Sequence, residues 1–296
     1  MRVAILGRTG TLLRAAQLLV SEGFQVPLVG TCLPASYDGV GPDDFAAFAR
    51  ANNSEFFCYS RINRAEALEA LGRAQCEVAL SLNWISVIGP EACALFPHGI
   101  LNVHAGDLPR YRGNACPNWA ILNGESRVGL TVHRMVPSAL DAGPILLKEF
   151  LPIGGSTYIG DIYRWLEDRV PALCLTALMQ LRDGRAAFAE QDADPSTWLR
   201  CYPRRPEDGL IDWRRSATDI HRLVRASSQP FDGAFTHLEG KELVRIWRAE
   251  LADQQGAFLA VPGQVMARSG EGLTIACGEG ALSITDIEVD GLRGAE

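Results

Sequence analysis

Residues 99–125 read GILNVHAGDLPRYRGNACPNWAILNGE. The first six residues form a strand-like run, but Asn102 and His104 break its apolar character two positions apart. Side chains i and i+2 of a strand share a face, so Asn102 and His104 point together while Leu101 and Val103 point the other way. Gly106, Asp107 and Pro109 then turn the chain out of the strand, and Pro117 starts a short helix that Gly124 stops. The two polar side chains stand at the carboxyl end of a strand, where open α/β sheets bind ligands. An amide can donate to an oxygen that becomes negative, and an imidazole can move a proton or stabilise the same oxygen. The spacing equally suits an Asn that ties down the following loop beside a satisfied, half-buried His.

The strand has companions. RVAIL (2–6), FQVPLVG (24–30), EFFCYS (55–60) and EVALSL (77–82) are strand-like. Between them TLLRAAQLLV (11–20), DDFAAFARAN (43–52), RAEALEALGRA (64–74) and GPEACALF (89–96) are helical, with Asn63 and Glu66 as an N-terminal capping signature. Strands apolar on both faces and alternating with helices predict a mostly parallel, Rossmann-like sheet covered on both sides. GLTVHRM (129–135) and PILLKEFLPI (144–153) add strands, and 158–183 is a long helix that Pro171 should interrupt. A polar stretch with Asp194-Pro195 and YPRRPEDG (202–209) reads as a linker. SATDIHRLVRA (216–226) is helical, and the remainder is short strands separated by Gly turns, which predicts a smaller β-barrel-like domain. The expected division is a catalytic-type domain at 1–185, a linker at 186–209 and the β-rich domain at 210–296, consistent with a chain of 296 residues.

Composition is that of a soluble globular protein, 47% apolar and 21% charged. No run of 18 apolar residues exists to span a membrane. Arg8 and Arg14 break up the N-terminal apolar stretch, which fits a first strand and helix better than a secretion signal. The eight cysteines form neither a Cys-x-x-Cys pair nor a Cys/His cluster, so the expectation is reduced thiols, no metal and a cytoplasmic location. GRTG (7–10) lacks the third glycine of a dinucleotide fingerprint and reads as a plain turn.

A carboxylate follows in PSALDAGPI (137–145), where Asp141 precedes a glycine that permits close backbone approach. Placed against an imidazole, it would orient the ring and favour its charged form. NVHAGDLPRYRG (102–113), NWAILNGE (118–125), GLTVHRM (129–135) and LDAGPIL (140–146) resemble the folate-dependent formyltransferase family. That family includes glycinamide ribonucleotide, methionyl-tRNA and nucleotide-amino-sugar formyltransferases. The resemblance runs through residues 75–150. It continues more weakly into RRPEDGLIDW (204–213), IHRLVRA (220–226), GAF (233–235) and ACGEGAL (276–282), which are similar to the OB-like second domain of the tRNA and amino-sugar branches.

The resemblance implies formyl transfer from 10-formyltetrahydrofolate to an amine. It implies that Asn102 holds the formyl oxygen and that His104 stabilises the tetrahedral oxyanion and relays a proton. Asp141 would orient His104 and accept the proton of the attacking amine. The pterin site would be built from main chain at Ser86, Val87 and Ile88 and around Ala139. Where the family has Ser-Leu-Leu-Pro, this chain has Gly106-Asp107-Leu108-Pro109, beside the expected acceptor site. Asp107 either faces a cationic amine or is solvated. Arg112 either anchors a phosphate or braces its loop. Arg204, Arg205 and Tyr202 either form an anion site suited to a nucleotide diphosphate or belong to a solvated linker. His133 reads as structural.

Residues 1–205 hold 19 Lys and Arg against 20 Asp and Glu, whereas 206–296 hold 9 against 15. Binding tRNA requires a basic face, and the C-terminal third has the opposite sign. The stretch 15–49, where tRNA-modifying relatives carry a basic insertion, contains no Lys or Arg. A small amine on a nucleotide-linked sugar is therefore the expected acceptor, ahead of tRNA, with no membrane partner and a homodimer admissible. Behind these stand a hydroxyornithine-type amine and a non-catalytic folate-binding module.

Overall fold

Every residue of Val78–Leu82 and of Ile100–His104 is buried, so neither strand has a solvent face and both must lie inside a covered sheet. The computed structural model describes residues 1–35, 38–137, 139–239, 242–253, 258–269 and 272–294. Its first half runs β1 (Arg2–Gly7), α1 (Gly10–Ser21), β2 (Gln25–Thr31), α2 (Pro42–Ala51), β3 (Glu55–Cys58), α3 (Ala65–Ala74), β4 (Val78–Leu82), α4 (Pro90–Ala94) and β5 (Ile100–His104). There follow β6 (Arg112–Gly113), α5 (Cys116–Leu122), β7 (Arg127–Arg134), β8 (Ile145–Pro152) and α6 (Ile159–Arg182). The seven-stranded sheet has the order β3-β2-β1-β4-β5-β7-β8. The strands β1 to β5 pair in parallel and β7 runs antiparallel to β5, so the sheet is mostly parallel. Strand order reverses between β1 and β4, the position at which such sheets open a ligand crevice at their carboxyl edge. In α1, Leu12, Ala15, Ala16 and Leu19 recur at i, i+3, i+4 and i+7 and are all buried.

Two local expectations change. The α3 helix begins without a side-chain cap: Arg64 is its N-cap, and Glu66 forms an ion pair with Arg64 at 2.8 Å. Asn63 instead clamps the loop after β4, donating to the Val87 carbonyl at 2.9 Å and accepting from the Gly89 amide at 2.7 Å. The long-range pair of bonds takes the side chain that the local signature assigned to capping. Nor is α6 interrupted at Pro171. A helical proline leaves the carbonyl four residues back without its donor. Here that carbonyl, Glu167, accepts from Arg14 Nη2 at 3.5 Å.

One compact unit contains Met1–Gly113, Gly129–Leu151 and Arg164–Arg200. The other gathers Asn114–Val128, Pro152–Tyr163 and Cys201–Glu296. The linear division at 185 and 210 is retained as a proposal about domains of sequence. Residues 186–209 are built into structure: Ala189 and Ile145 exchange backbone hydrogen bonds at 2.7 and 2.8 Å, and β9 (Arg200–Cys201) pairs with β6. The second unit carries α7 (Ala217–Ser227), β10 (Ala234–Leu238), β11 (Glu242–Leu251), β12 (Val265–Ser269), β13 (Gly272–Ala276), β14 (Ala281–Val289) and β15 (Leu292–Gly294). Its antiparallel sheet has the order β10-β11-β14-β13-β12, with β15 on β14. Ser216 caps α7 by accepting from the Asp219 amide, and Ile220 and Val224 pack on Ile246, Leu282 and Ile284.

His221 is buried on α7. Burial lowers its pKa to about 4, helped by the Arg225 charge and partly opposed by the Ala249 backbone. The unfolded chain takes up this proton near pH 6.5. Folding is therefore favoured in full above that pH and weakened as pH falls toward 4, by about 3 kcal/mol in all. Urea unfolding of His221→Gln across this range should show a shallower pH dependence by about that amount. A slope equal to the parent's would exclude this account.

Candidate active site

Directly opposed residues of an antiparallel pair share a face. The β5–β7 register sets Asn102 opposite His133 and His104 opposite Thr131. His133 thus joins the polar face of β5, a placement that its own strand does not reveal and that requires the cross-strand register. Thr131 Oγ1 donates to the Gly106 carbonyl at 2.7 Å and holds the start of the following loop. Because β7 is antiparallel, it ends opposite the start of β5: Arg134 lies across from Leu101, and the Met135 amide donates to the Ile100 carbonyl. The chain returns from there to bring Asp141 back to the polar face.

Asp141 has a left-handed backbone, φ 50°. For a residue with a Cβ this costs roughly 1–2 kcal/mol. Gly143 is required nearby, since a Cβ there would lie 1.8 Å from the Arg134 carbonyl oxygen. The Asp141 side chain is 9% exposed. Its Oδ2 accepts from the Gly113 amide at 2.8 Å and lies 3.7 Å from His104 Nδ1, while Oδ1 lies 3.5 Å from His133 Nε2. Burial opposes ionisation of this carboxyl. The nearby His104, the hydrogen bond from His133 and the Gly113 amide outweigh that penalty and hold its pKa down at about 2. The structure therefore brings Asn102, His104 and Asp141 together and adds His133.

His104 Nε2 lies 2.6 Å from the Tyr111 carbonyl. A carbonyl has no proton to give, so Nε2 carries the hydrogen. Nδ1 is turned toward the Asp141 carboxylate, 3.7 Å away. A Cβ at position 106 would lie 2.4 Å from His104 Nε2 and 2.5 Å from the Tyr111 carbonyl oxygen. Gly106, where the resembling family has Ser, leaves room for this bond. Asp107 is paired within the fold: Lys148 Nζ lies 2.6 Å from its Oδ1 and donates to the Leu108 carbonyl at 2.6 Å.

Asn102 Nδ2 stands 3.1 Å from His133 Nε2. With Nε2 as acceptor, the proton of His133 would sit on Nδ1, which is buried without a partner among the described residues, and a lone pair would face Asp141. An orphaned buried donor costs about 1–3 kcal/mol. Exchanging the amide oxygen and nitrogen relieves both: Nε2–H then donates toward Asn102 Oδ1 and Asp141, and the Asn102 NH₂ is released as a donor.

The remaining expected site residues are placed as follows. Ser86 Oγ accepts from Trp84 Nε1 at 3.0 Å, Val87 is exposed and Ile88 is buried. The Ala139 amide donates to the Val136 carbonyl at 3.3 Å. Four large apolar side chains flank these positions in solvent: Ile85 (48% exposed), Val87 (73%), Val136 (38%) and Leu140 (49%). Arg112 is buried, with Nη2 donating to Gln191 Oε1 at 2.8 Å and its guanidinium 4.2 Å above the Trp198 ring. Of the two roles read for it, these are the contacts of a brace. In the second unit Arg204 donates to the carbonyls of Asp208 (2.9 Å) and Ala226 (3.4 Å) and to Ser227 Oγ (3.2 Å), whereas Tyr202 and Arg205 are exposed. Among the described residues no three His, Cys, Asp or Glu side chains gather as a metal site, and no helix is long and apolar enough to cross a membrane.

Residues 43–178 match the family described as formyl transferase, and residues 204–293 match the formyl transferase C-terminal domain. Methionyl-tRNA formyltransferase of Pelotomaculum thermopropionicum is 31% identical over 99% of this chain and 92% of that protein. The chain belongs to the formyltransferase family. Two solved structures share its fold. The sugar 3-N-formyltransferase WlaRD, determined with dTDP and 5-N-formyl-THF, has a TM-score of 0.70 at 17% identity and covers 96% of each chain. The N-formyltransferase of Helicobacter canadensis, in complex with folinic acid and dTDP-3-aminofucose, has a TM-score of 0.70 at 16% identity, over 96% of this chain and 98% of that one.

The inferred proton position on His133 is measurable in this formyltransferase-family protein. Nitrogen-15 NMR should find Nε2 of His133 protonated and Nδ1 bare. A proton on Nδ1 would return Asn102 to an orientation with its oxygen toward the site.

Proposed function

We propose that the protein is an N-formyltransferase that moves the formyl group of 10-formyltetrahydrofolate to a primary amine of a small acceptor, a nucleotide-linked amino sugar. The observation that carries the chemistry is the convergence of an amide, an imidazole and an ionised, buried carboxylate on one face of β5 and β7. In this reading the amine nitrogen attacks the formyl carbon, and the carbonyl oxygen takes up the displaced electron pair. The Asn102 NH₂ and His104 stabilise that oxyanion. The amine's proton passes to Asp141. Collapse of the tetrahedral centre breaks the bond to folate N10, which receives a proton relayed through His104. The exposed apolar residues Ile85, Val87, Val136 and Leu140 suit a flat, largely apolar ligand such as the pterin.

Charge supports a small acceptor: residues 206–296 carry 15 acidic against 9 basic residues, and 15–49 carry no basic residue. Arg205 and Tyr202 are the exposed members of the nucleotide site proposed for 202–205, with Arg204 holding their segment. The identity to a methionyl-tRNA formyltransferase keeps tRNA as the second reading.

Formyl transfer measured with 10-formyltetrahydrofolate should proceed with UDP-, GDP- or dTDP-amino sugars and not with charged initiator tRNA. Transfer to tRNA alone, with binding that weakens steeply as salt rises, would replace the first reading by the second. Asn102→Ala should lower kcat by about 10²–10³ while the protein stays folded. Near-normal turnover in that variant would remove Asn102 from the chemistry.

A further inference from the structure

Asp141 occupies its left-handed conformation under constraint from a residue 50 positions away. Gln191 Nε2 donates to the Asp141 carbonyl at 2.8 Å and to the Gly143 carbonyl at 2.7 Å. Its Oε1 accepts from Arg112 Nη2 at 2.8 Å. A guanidinium can only donate, so the oxygen must face Arg112 and the NH₂ must face the two carbonyls. Arg112 is itself fixed, its amide donating to the Leu199 carbonyl at 2.9 Å and its guanidinium stacked on Trp198. Backbone in a sparsely populated region persists where its surroundings over-determine it.

We propose that Gln191 is a positioning residue: by bridging the carbonyls of Asp141 and Gly143 it holds the turn that aims the Asp141 carboxylate at His104 and His133, and Arg112 keeps its amide in the required orientation. The inference rests on the reading of Asp141 as the proton acceptor. The groups facing that carboxylate are His104 from β5, His133 from β7, and Arg112 with the Gly113 amide from β6.

Gln191→Met keeps the length of the side chain and removes both functions of the amide. With the turn released, the Asp141 carboxylate moves off its histidines. Carbon-13 NMR of aspartate-labelled, full-length protein should then show its pKa rising from about 2 toward the ordinary value of about 3.9. In the formyl-transfer assay kcat should fall about 10²-fold, with KM for 10-formyltetrahydrofolate within about threefold of wild type. Gln17→Ala, an exposed glutamine on α1, should leave both readouts unchanged. Gln191→Asn, one methylene too short to span both carbonyls, gives the same titration should the Met variant fail to fold. A folded Met or Asn variant whose Asp141 titrates as in wild type overturns the proposal. If the wild type transfers formyl to no amine, the functional reading fails, and the titration alone still decides whether Gln191 sets the carboxylate.

Discussion

A carboxylate that stays ionised while almost wholly buried imposes the strictest condition on this molecule. Removing Asp141 from water would ordinarily neutralise it. Its low pKa is maintained because two histidines and one backbone amide converge on its two oxygens. These partners come from β5, β7 and β6, so the charge can exist only when all three segments are in register. The polar face and the fold of the first unit are in this sense one requirement. The same condition bears on the tautomer of His133: an ionised Asp141 calls for Nε2–H there, which turns the Asn102 amide so that it can donate.

Register carries this set of contacts. A slip of one residue between β5 and β7 would exchange the two faces of the sheet and set Val132 in place of His133 opposite Asn102. Val128, Leu130 and Val132 are buried on the other face, and their apolar burial fixes the pairing. Hydrophobic packing on one side of β7 thereby sets a polar geometry on the other. Antiparallel pairing sends the chain off at the amino end of β5, and the left-handed turn at Asp141 brings it back. That turn is where strain is located, and Gly143 and Gln191 are where it is contained.

What the sequence displayed and what it concealed follow from the range of the forces involved. Apolar runs gave the strands of the parallel sheet, because burial on both faces demands them, and the two-residue spacing gave the shared face of Asn102 and His104. His133 looked like any strand residue, since its partner lies on another strand. Gln191 lay in a polar stretch whose composition suits a linker, and nothing local marks an amide that serves carbonyls 48 and 50 residues away. Pro171 and Asn63 mislead in the opposite direction. Each carries a clear local signal, a helix break and a helix cap, and each is overridden by a long-range hydrogen bond, from Arg14 to Glu167 and between Asn63 and the 87–89 segment.

The loop after His104 departs from the family pattern while Asn102, His104 and Asp141 beside it are kept. Two substitutions relative to the family pattern occur together, glycine at 106 and aspartate at 107. The first opens the space in which His104 reaches the Tyr111 carbonyl. The second joins the loop to β8 through Lys148, which also holds the Leu108 carbonyl. Lys148 thereby gives this half-buried carboxylate a counter-ion at 2.6 Å. Neither change touches Asn102 or Asp141, and both alter how the 106–111 segment is anchored. The loop and the strands beneath it are thus anchored by separate contacts, so either can change without dismantling the other.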